Sequence, residues 1–168
     1  MKELYYNGLF IVLTGNMCLG ICVLFLKRMN VAGDYIIFLQ MLVLIDSVYN
    51  VTAQFIRGKG QTGIYAVSGV VQTSALIIMN LWFLLGIKLG IKGYILAMII
   101  SYLIALIYMF IASSIYHFIG KPNWGLLKSM LQYSIPMIPS GLSWWGRASA
   151  DKYIISSTIG ANANGIYL

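Results

Sequence analysis

A short polar series interrupts one of the long apolar stretches of the chain, and it consists of Asp46, Asn50, Gln54 and Arg57. On a helix of about 3.6 residues per turn, Asp46, Asn50 and Arg57 share one face, and Gln54 lies slightly to one side. A carboxylate, two amides and a guanidinium in this arrangement could line a path for a polar substrate. They could equally form hydrogen bonds that hold neighbouring helices together. The spacing leaves both interpretations open.

A second polar series follows near the end of the chain, where Pro136, Ser140, Ser143, Arg147 and Asp151 fall on one helical stripe. Arg147 and Asp151 are one turn apart and can form an ion pair. A guanidinium binds phosphate through two parallel hydrogen bonds and stays charged in any environment. Arg147 is therefore a candidate phosphate ligand with Asp151 as its partner, and the alternative is a structural ion pair near the outer membrane surface.

Sequence patterns of catalytic and metal sites are absent from the chain, which has no paired carboxylates, nucleophile motif, phosphate-binding glycine loop or metal-ligand spacing. Cys18 and Cys22 lie one helical turn apart in an apolar stretch with no other soft ligand nearby. This favours two small buried side chains over a metal pair. We therefore expect a protein that is not an enzyme and that uses no cofactor or metal.

The composition indicates that the polar series lie in a membrane. Of the 168 residues 60% are apolar and 9% are charged, and the mean hydropathy is +0.85, which is outside the range of soluble domains. The net charge of +7 comes from basic residues at the ends of apolar stretches, where they can bind anionic lipid headgroups. No basic cluster with a recognition helix is present, so we expect membrane lipids and no nucleic acid as partners.

The apolar stretches predict an all-α, polytopic membrane helix bundle, because a helix needs about 20 apolar residues to cross the hydrocarbon core. Four stretches of this length cover residues 7–26, 35–56, 62–87 and 94–118. A fifth, at 126–159, carries the prolines and charges of the second polar series and is expected to be kinked. About five transmembrane helices are therefore predicted. A slight excess of basic residues favours a cytoplasmic N-terminus.

Several motifs carry a resemblance to a known family. The most specific is Leu131-Gln-Tyr-Ser-Ile-Pro-Met-Ile-Pro-Ser-Gly-Leu-Ser-Trp-Trp145, which continues with Ala150-Asp-Lys-Tyr-Ile-Ile155 and Gly160-Ala-Asn-Ala-Asn-Gly-Ile-Tyr167. Earlier parts are Gln54-Phe-Ile-Arg-Gly58, Tyr65-Ala66, Asn80 and Gly90-Ile-Lys-Gly-Tyr94. Together they resemble the polysaccharide flippases of the multidrug/oligosaccharidyl-lipid/polysaccharide exporter superfamily.

The resemblance implies a two-lobed transporter of the bacterial cytoplasmic membrane. Its substrate would be an oligosaccharide linked to undecaprenyl pyrophosphate, used to make lipopolysaccharide O-antigen or exopolysaccharide. On this map residues 1–120 are the end of the first lobe, with four transmembrane helices, and residues 121–168 begin the second lobe. The chain would then be a fragment, with helices missing before Met1 and after Leu168.

Three alternatives remain beside the flippase. A membrane enzyme of the same pathway, such as a polysaccharide polymerase, is expected to have a large extramembrane loop, and the chain has none. A small-molecule exporter of the same superfamily would share the architecture but resemble the proline and tryptophan motif less. An inactive fragment is the third alternative.

Overall fold

The computed structural model describes residues 2–28, 36–114 and 123–158, and every regular element in these ranges is helical. Helix α1 covers Lys2–Arg28, α2 Ile36–Gly58, α3 Thr62–Asn80, α4 Ile91–Ser113, α5 Trp124–Ser134 and α6 Ile138–Thr158. A π-helical turn at Leu81–Gly86 extends α3, and a 3-10 turn at Ile135–Met137 separates α5 from α6. The predicted all-α class is confirmed.

Four of these helical segments are long and apolar enough to cross a membrane. They cover Glu3–Phe25, Ile36–Gly58, Thr62–Gly86 and Ile91–Ser113. Each corresponds to one of the four apolar stretches that the sequence predicts as spans. The chain is therefore a multi-pass membrane protein.

The fifth predicted span is helical over Trp124–Thr158, with a change of helix type at the proline pair. Pro136 lies within the 3-10 turn and Pro139 in the first turn of α6. Proline removes a backbone donor and disfavours a regular helix just before it, which accounts for the predicted interruption. Neither α5 nor α6 is among the four membrane-length apolar helices of the described chain, so a fifth crossing stays a prediction.

The turn between α3 and α4 is shorter than predicted. Residues 86–93 include three glycines and predict a turn between the third and fourth apolar stretches, whereas α4 already begins at Ile91. Gly90 has a φ of +60°, a conformation that glycine adopts without strain. The turn ends at this residue, and α4 begins with the next one. Gly93 is helical, and its missing side chain leaves room for Leu89 and Phe83.

The chain divides into two compact units, Met1–Asn123 and Trp124–Leu168. In the first unit α4 packs against both α2 and α3, and α1 packs against α2. Its core lies where α1 begins and where α2 and α4 end, and it is formed by Tyr5, Ala53, Phe55, Ile56, Leu106 and Met109. In the second unit most of the described side chains of α5 and α6 are exposed.

The two cysteines differ from their predicted environment, because Cys18 and Cys22 are both exposed free thiols on α1. Many large apolar side chains of α1 are exposed as well, including Met17 and Ile21. A membrane helix can present such side chains to lipid, so small apolar residues in a span need not be buried in the protein.

Candidate functional site

The polar series of α2 forms a stripe on the surface of the helix. Asp46 is half-buried, and Asn50, Gln54 and Arg57 are exposed. Of the buried residues in the same turns, Thr52, Phe55 and Ile56 lie away from this stripe, and Ala53 lies at its edge, one turn before Arg57. We call Asp46, Asn50, Gln54 and Arg57 the α2 stripe. The helix therefore turns its apolar face to the protein core and leaves its charged and amide side chains outside that core.

Asp46 and Asn50 are brought together at the middle of α2. The Asn50 Nδ2 donates to the backbone oxygen of Asp46 and to its Oδ1, both at 3.0 Å. These bonds lie within one helix, so they do not join α2 to a neighbour. The Asn50 amide therefore orients one carboxylate oxygen of Asp46.

Two tyrosines complete the surroundings of Asp46. The ring centroids of Tyr49 on α2 and Tyr102 on α4 are 5.1 Å apart, with an interplanar angle of 50°. Asp46 and Tyr94 are electrostatic neighbours of Tyr102. We call Asp46, Asn50, Tyr49 and Tyr102 the Asp46 cluster. It is a place in the first unit where the α2 stripe meets α4.

The other members of the α2 stripe lie further along the helix. Gln54 is exposed. The Arg57 guanidinium carbon lies 5.9 Å from the centroid of the Tyr65 ring, within the range of a cation–π interaction. Eleven residues separate Asp46 from Arg57, which corresponds to about 16 Å along a helix axis. The stripe thus has a carboxylate at mid-helix and a cation at the end of the helix.

Arg147 and Asp151 belong to α6 in the second unit. Arg147 is exposed, and Ser143, one turn before it, donates from its Oγ to the backbone oxygen of Pro139 at 2.8 Å. Asp151 lies one turn after Arg147 on the same helix, but its side chain is outside the described part of the structure. The predicted Arg147–Asp151 ion pair therefore stays a prediction.

Sequence reasoning missed the tyrosines of the Asp46 cluster. Tyr49 follows Asp46 by three residues, and helical spacing alone could have placed it beside the carboxylate. Tyr102 could be found only from the packing of α4 against α2. The pairing of helices is not encoded in the apolar pattern of a single span.

Three further polar contacts stabilise the first unit. The Gln40 Nε2 donates to the Asn16 backbone oxygen at 3.0 Å and to its Oδ1 at 3.3 Å, which joins α2 to α1. Tyr5 and Thr52 are hydrogen-bonded at 3.1 Å. The Asn7 side chain binds the backbone of Asn123. The sequence could have indicated such contacts through the amides and hydroxyls inside the predicted spans, because a polar group in a membrane helix needs a hydrogen-bond partner.

One polar atom near the π-helical turn has no partner. The Oδ1 of Asn80 is buried and makes no hydrogen bond within the described residues. Beside it is an open groove of about 360 Å³ lined otherwise by Ile77, Leu81, Leu84 and Leu85. Lipid-facing apolar side chains form such grooves between turns of a membrane helix.

In the described ranges, no group of three or more His, Cys, Asp and Glu residues that could hold a metal ion comes together. No protein family, curated protein or solved structure matches the chain at a significant level. The α2 stripe and the Asp46 cluster are therefore interpreted from their own geometry and chemistry.

Proposed function

We propose that the chain belongs to a flippase that moves lipid-linked oligosaccharides across the bacterial cytoplasmic membrane for the synthesis of cell-surface polysaccharide. Its residues 1–120 would be the end of a first lobe and residues 121–168 the start of a second. The process is transport without covalent chemistry. The motifs around Pro136, Trp145 and Tyr153 support the family assignment through their resemblance to polysaccharide flippases.

The α2 stripe is the observation that carries this proposal. Asp46 lies at the middle of a helix of 23 residues, which places its carboxylate near the centre of the bilayer. Insertion scales put the cost of a charged residue there at about 3 kcal/mol. Such residues normally face a water-filled cavity or other helices. A stripe of exposed polar side chains on a membrane helix is therefore the expected lining of a transport path.

The charges of the chain suit a lipid-linked pyrophosphate and its glycan. Arg147 would neutralise the pyrophosphate, because a guanidinium binds phosphate oxygens through a planar pair of hydrogen bonds. Asn50 and Gln54 carry amides that can donate to and accept from sugar hydroxyls. Alternating access requires a second set of helices that rocks against the first, so the transport step needs both lobes.

A glycan export assay in cells that produce the protein tests this function. Arg147→Ala should abolish export of the surface polysaccharide, and Arg147→Lys should restore only part of it, because an ammonium cannot make the paired contact. Arg28→Ala removes an exposed arginine at the end of α1 and serves as the matched control with unchanged export. Normal export by the Arg147→Ala protein at normal protein level would contradict the proposal.

A small-molecule exporter of the same superfamily is the second candidate. The Asp46 cluster favours it, because a carboxylate near Tyr102, whose ring packs against Tyr49, is also suited to small organic cations. A polymerase is less well supported, since the connections at residues 59–61 and 87–90 between described helices are too short for a catalytic domain. Loss of drug resistance with retained glycan export on mutation of Asp46 would favour the exporter.

A further inference from the structure

Helix α5 carries an open groove of about 560 Å³ on its surface. The groove is lined by Trp124, Leu127, Lys128, Leu131, Gln132 and Ile135. These residues form two neighbouring rows along the helix, because the members of each row are four residues apart. One row is apolar and ends at Ile135, and the other begins with Trp124 and continues with Lys128 and Gln132. We call this surface the α5 groove.

The length of the neighbouring helix indicates at which level of the membrane α5 lies. Helix α6 has 21 residues and α5 has 11. A helix of the length of α6 measures about 32 Å, which already matches a hydrocarbon core of about 30 Å. The fifth crossing that the sequence predicts would therefore use α6, and α5 would lie at the level of the lipid headgroups. Tryptophan is enriched at that level, and lysine extends its ammonium toward it, which agrees with Trp124 and Lys128.

The charge around the α5 groove has one sign. Residues 124–150 include Lys128 and Arg147 and no acidic residue. Lys128 is exposed and lines the groove. Its ammonium group has three hydrogen-bond donors and no acceptor, so it is suited to the phosphate oxygens of an anionic ligand. The charge therefore favours an anion over a cation in this place.

The apolar row of the groove requires a ligand that also has an apolar part. Leu131 and Ile135 are large apolar side chains that stay exposed, as does the indole of Trp124. Covering such side chains with hydrocarbon is favourable in proportion to the apolar area that leaves water. A free phosphate ion could contact Lys128 but would leave the apolar row uncovered. A phospholipid has both parts, since its phosphate and its acyl chain are joined in one molecule.

We propose that the α5 groove is a binding site for an anionic phospholipid. The Lys128 ammonium donates to the lipid phosphate, and one acyl chain lies along the row that ends at Ile135. Trp124 contacts the same lipid from the opposite row. The bound lipid fixes α5 at the membrane surface, and this role does not depend on the proposed function of the chain.

Quenching of Trp124 fluorescence by brominated lipids tests the site. A variant of the full chain with Phe in place of Trp82, Trp144 and Trp145, which are all exposed, keeps Trp124 as its single tryptophan. It is placed in phosphatidylcholine nanodiscs that contain a fixed fraction of brominated phosphatidylglycerol or of brominated phosphatidylcholine with the same acyl chains. We expect the anionic lipid to be preferred about fivefold, which is the effect of one lysine near an anionic lipid.

Two results of this measurement would overturn the proposal. Equal quenching by the two brominated lipids would show that the groove does not select an anionic headgroup. Absence of quenching by both lipids would show that protein, and not lipid, covers Trp124. Native mass spectrometry of the unmodified chain with a mixture of the two lipids measures the same preference without the three Phe substitutions.

Three lysine variants assign the preference to the groove. Lys128→Gln keeps a polar side chain and removes the charge, so it should abolish the preference for phosphatidylglycerol. Lys128→Arg keeps the charge and should retain the preference. Lys92→Gln removes an exposed lysine of α4 and is the matched control with an unchanged preference. A preference that survives Lys128→Gln would place the anionic lipid elsewhere and reject the site.

Two variants of α5 separate the groove from general contact with the bilayer. Leu131→Gln places an amide in the apolar row and should lower the quenching of Trp124 by both brominated lipids. Tyr133→Gln is the control, because Tyr133 is also exposed and lies nine residues after Trp124, on the opposite face of the helix. Equal quenching in the two variants would show that the acyl chain does not lie in the groove.

Discussion

The side-chain amide of Asn7 forms two hydrogen bonds with the backbone of Asn123, one through its nitrogen and one through its oxygen. Its Nδ2 donates to the Asn123 carbonyl oxygen at 2.9 Å, and its Oδ1 accepts from the Asn123 N–H at 3.1 Å. Asn123 in turn donates from its own Nδ2 to the Glu3 Oε2 at 2.9 Å. Asn7 is fully buried, and Asn123 is the last residue before α5. The first turns of α1 therefore fix the position of the chain just before that helix.

Loss of this contact should destabilise the first unit. Asn7→Ala removes both hydrogen bonds between the Asn7 side chain and the Asn123 backbone, and at about 1 kcal/mol for each bond the expected loss is about 2 kcal/mol. Asn7→Asp should cost more, because a carboxylate cannot donate to the carbonyl oxygen and adds a negative charge near Glu3. The free energy of unfolding in mixed detergent micelles measures both. Asn50→Ala, at an exposed asparagine, is the control, and an equal loss in Asn7→Ala and Asn50→Ala would contradict the prediction.

Tyr5 contributes both a ring and a hydroxyl to the core. The Thr52 hydroxyl donates to the Val48 backbone oxygen at 2.8 Å, so the Tyr5 hydroxyl is the donor in the 3.1 Å bond to Thr52. The Tyr5 ring lies 4.8 Å from that of Phe55. Tyr5→Phe should therefore cost about 1 kcal/mol of unfolding free energy, and Tyr5→Ala about 4 kcal/mol. Similar losses of unfolding free energy in the two variants would contradict this prediction, because they would show that the Tyr5 hydroxyl contributes more to stability than the ring does.

Two helical glycines should respond to alanine in opposite directions. A Cβ at Gly93 would lie 2.9 Å from the Leu89 Cβ and 3.1 Å from the Phe83 Cβ, so Gly93→Ala forces the turn before α4 apart. The expected loss is about 2 kcal/mol. A Cβ at Gly69 meets no atom within 4 Å, so Gly69→Ala should stabilise α3 by about 0.5–1 kcal/mol through helix propensity. Thermal unfolding in detergent compares the stability of the two variants. Stabilisation by Gly93→Ala as well as by Gly69→Ala would contradict the prediction, because it would show that the turn before α4 can move to accommodate the added methyl group.

The number of apolar helices can be predicted because each membrane span carries its own signal. Twenty apolar residues bounded by charge or glycine define a crossing without reference to the rest of the fold, and all four such stretches are helices of membrane length. The residues at which the helices begin and end are less predictable from the sequence. The glycine-rich pattern assigns Ile91 and Lys92 to a turn, whereas Gly90 with its positive φ lets the helix begin directly after it.

The candidate site is predictable along one helix and not between helices. Asp46 and Asn50 follow from spacing, and their hydrogen bond confirms that they share a face. Tyr102 joins them only because α4 packs on α2, which depends on side-chain shape over two whole helices. Cys18 and Cys22 are predicted to be buried and are exposed. An apolar residue in a span can face lipid as readily as protein, so its position in the span does not determine whether the protein buries it.

A double-mutant cycle on Asn16 and Gln40 should measure how much one amide pair contributes to the pairing of α1 with α2. The Gln40 Nε2 donates to the Asn16 side chain and backbone, and Asn16 is buried. Interhelical hydrogen bonds in membranes contribute about 0.6 kcal/mol on average. Asn16→Leu, Gln40→Leu and the double variant should therefore show a coupling of about 0.5–1 kcal/mol in unfolding free energy. The remaining bond from Gln40 to the Asn16 backbone oxygen survives in Asn16→Leu, so that variant alone should cost less than Gln40→Leu. Additive losses would show that the amide pair forms without stabilising the helix pair.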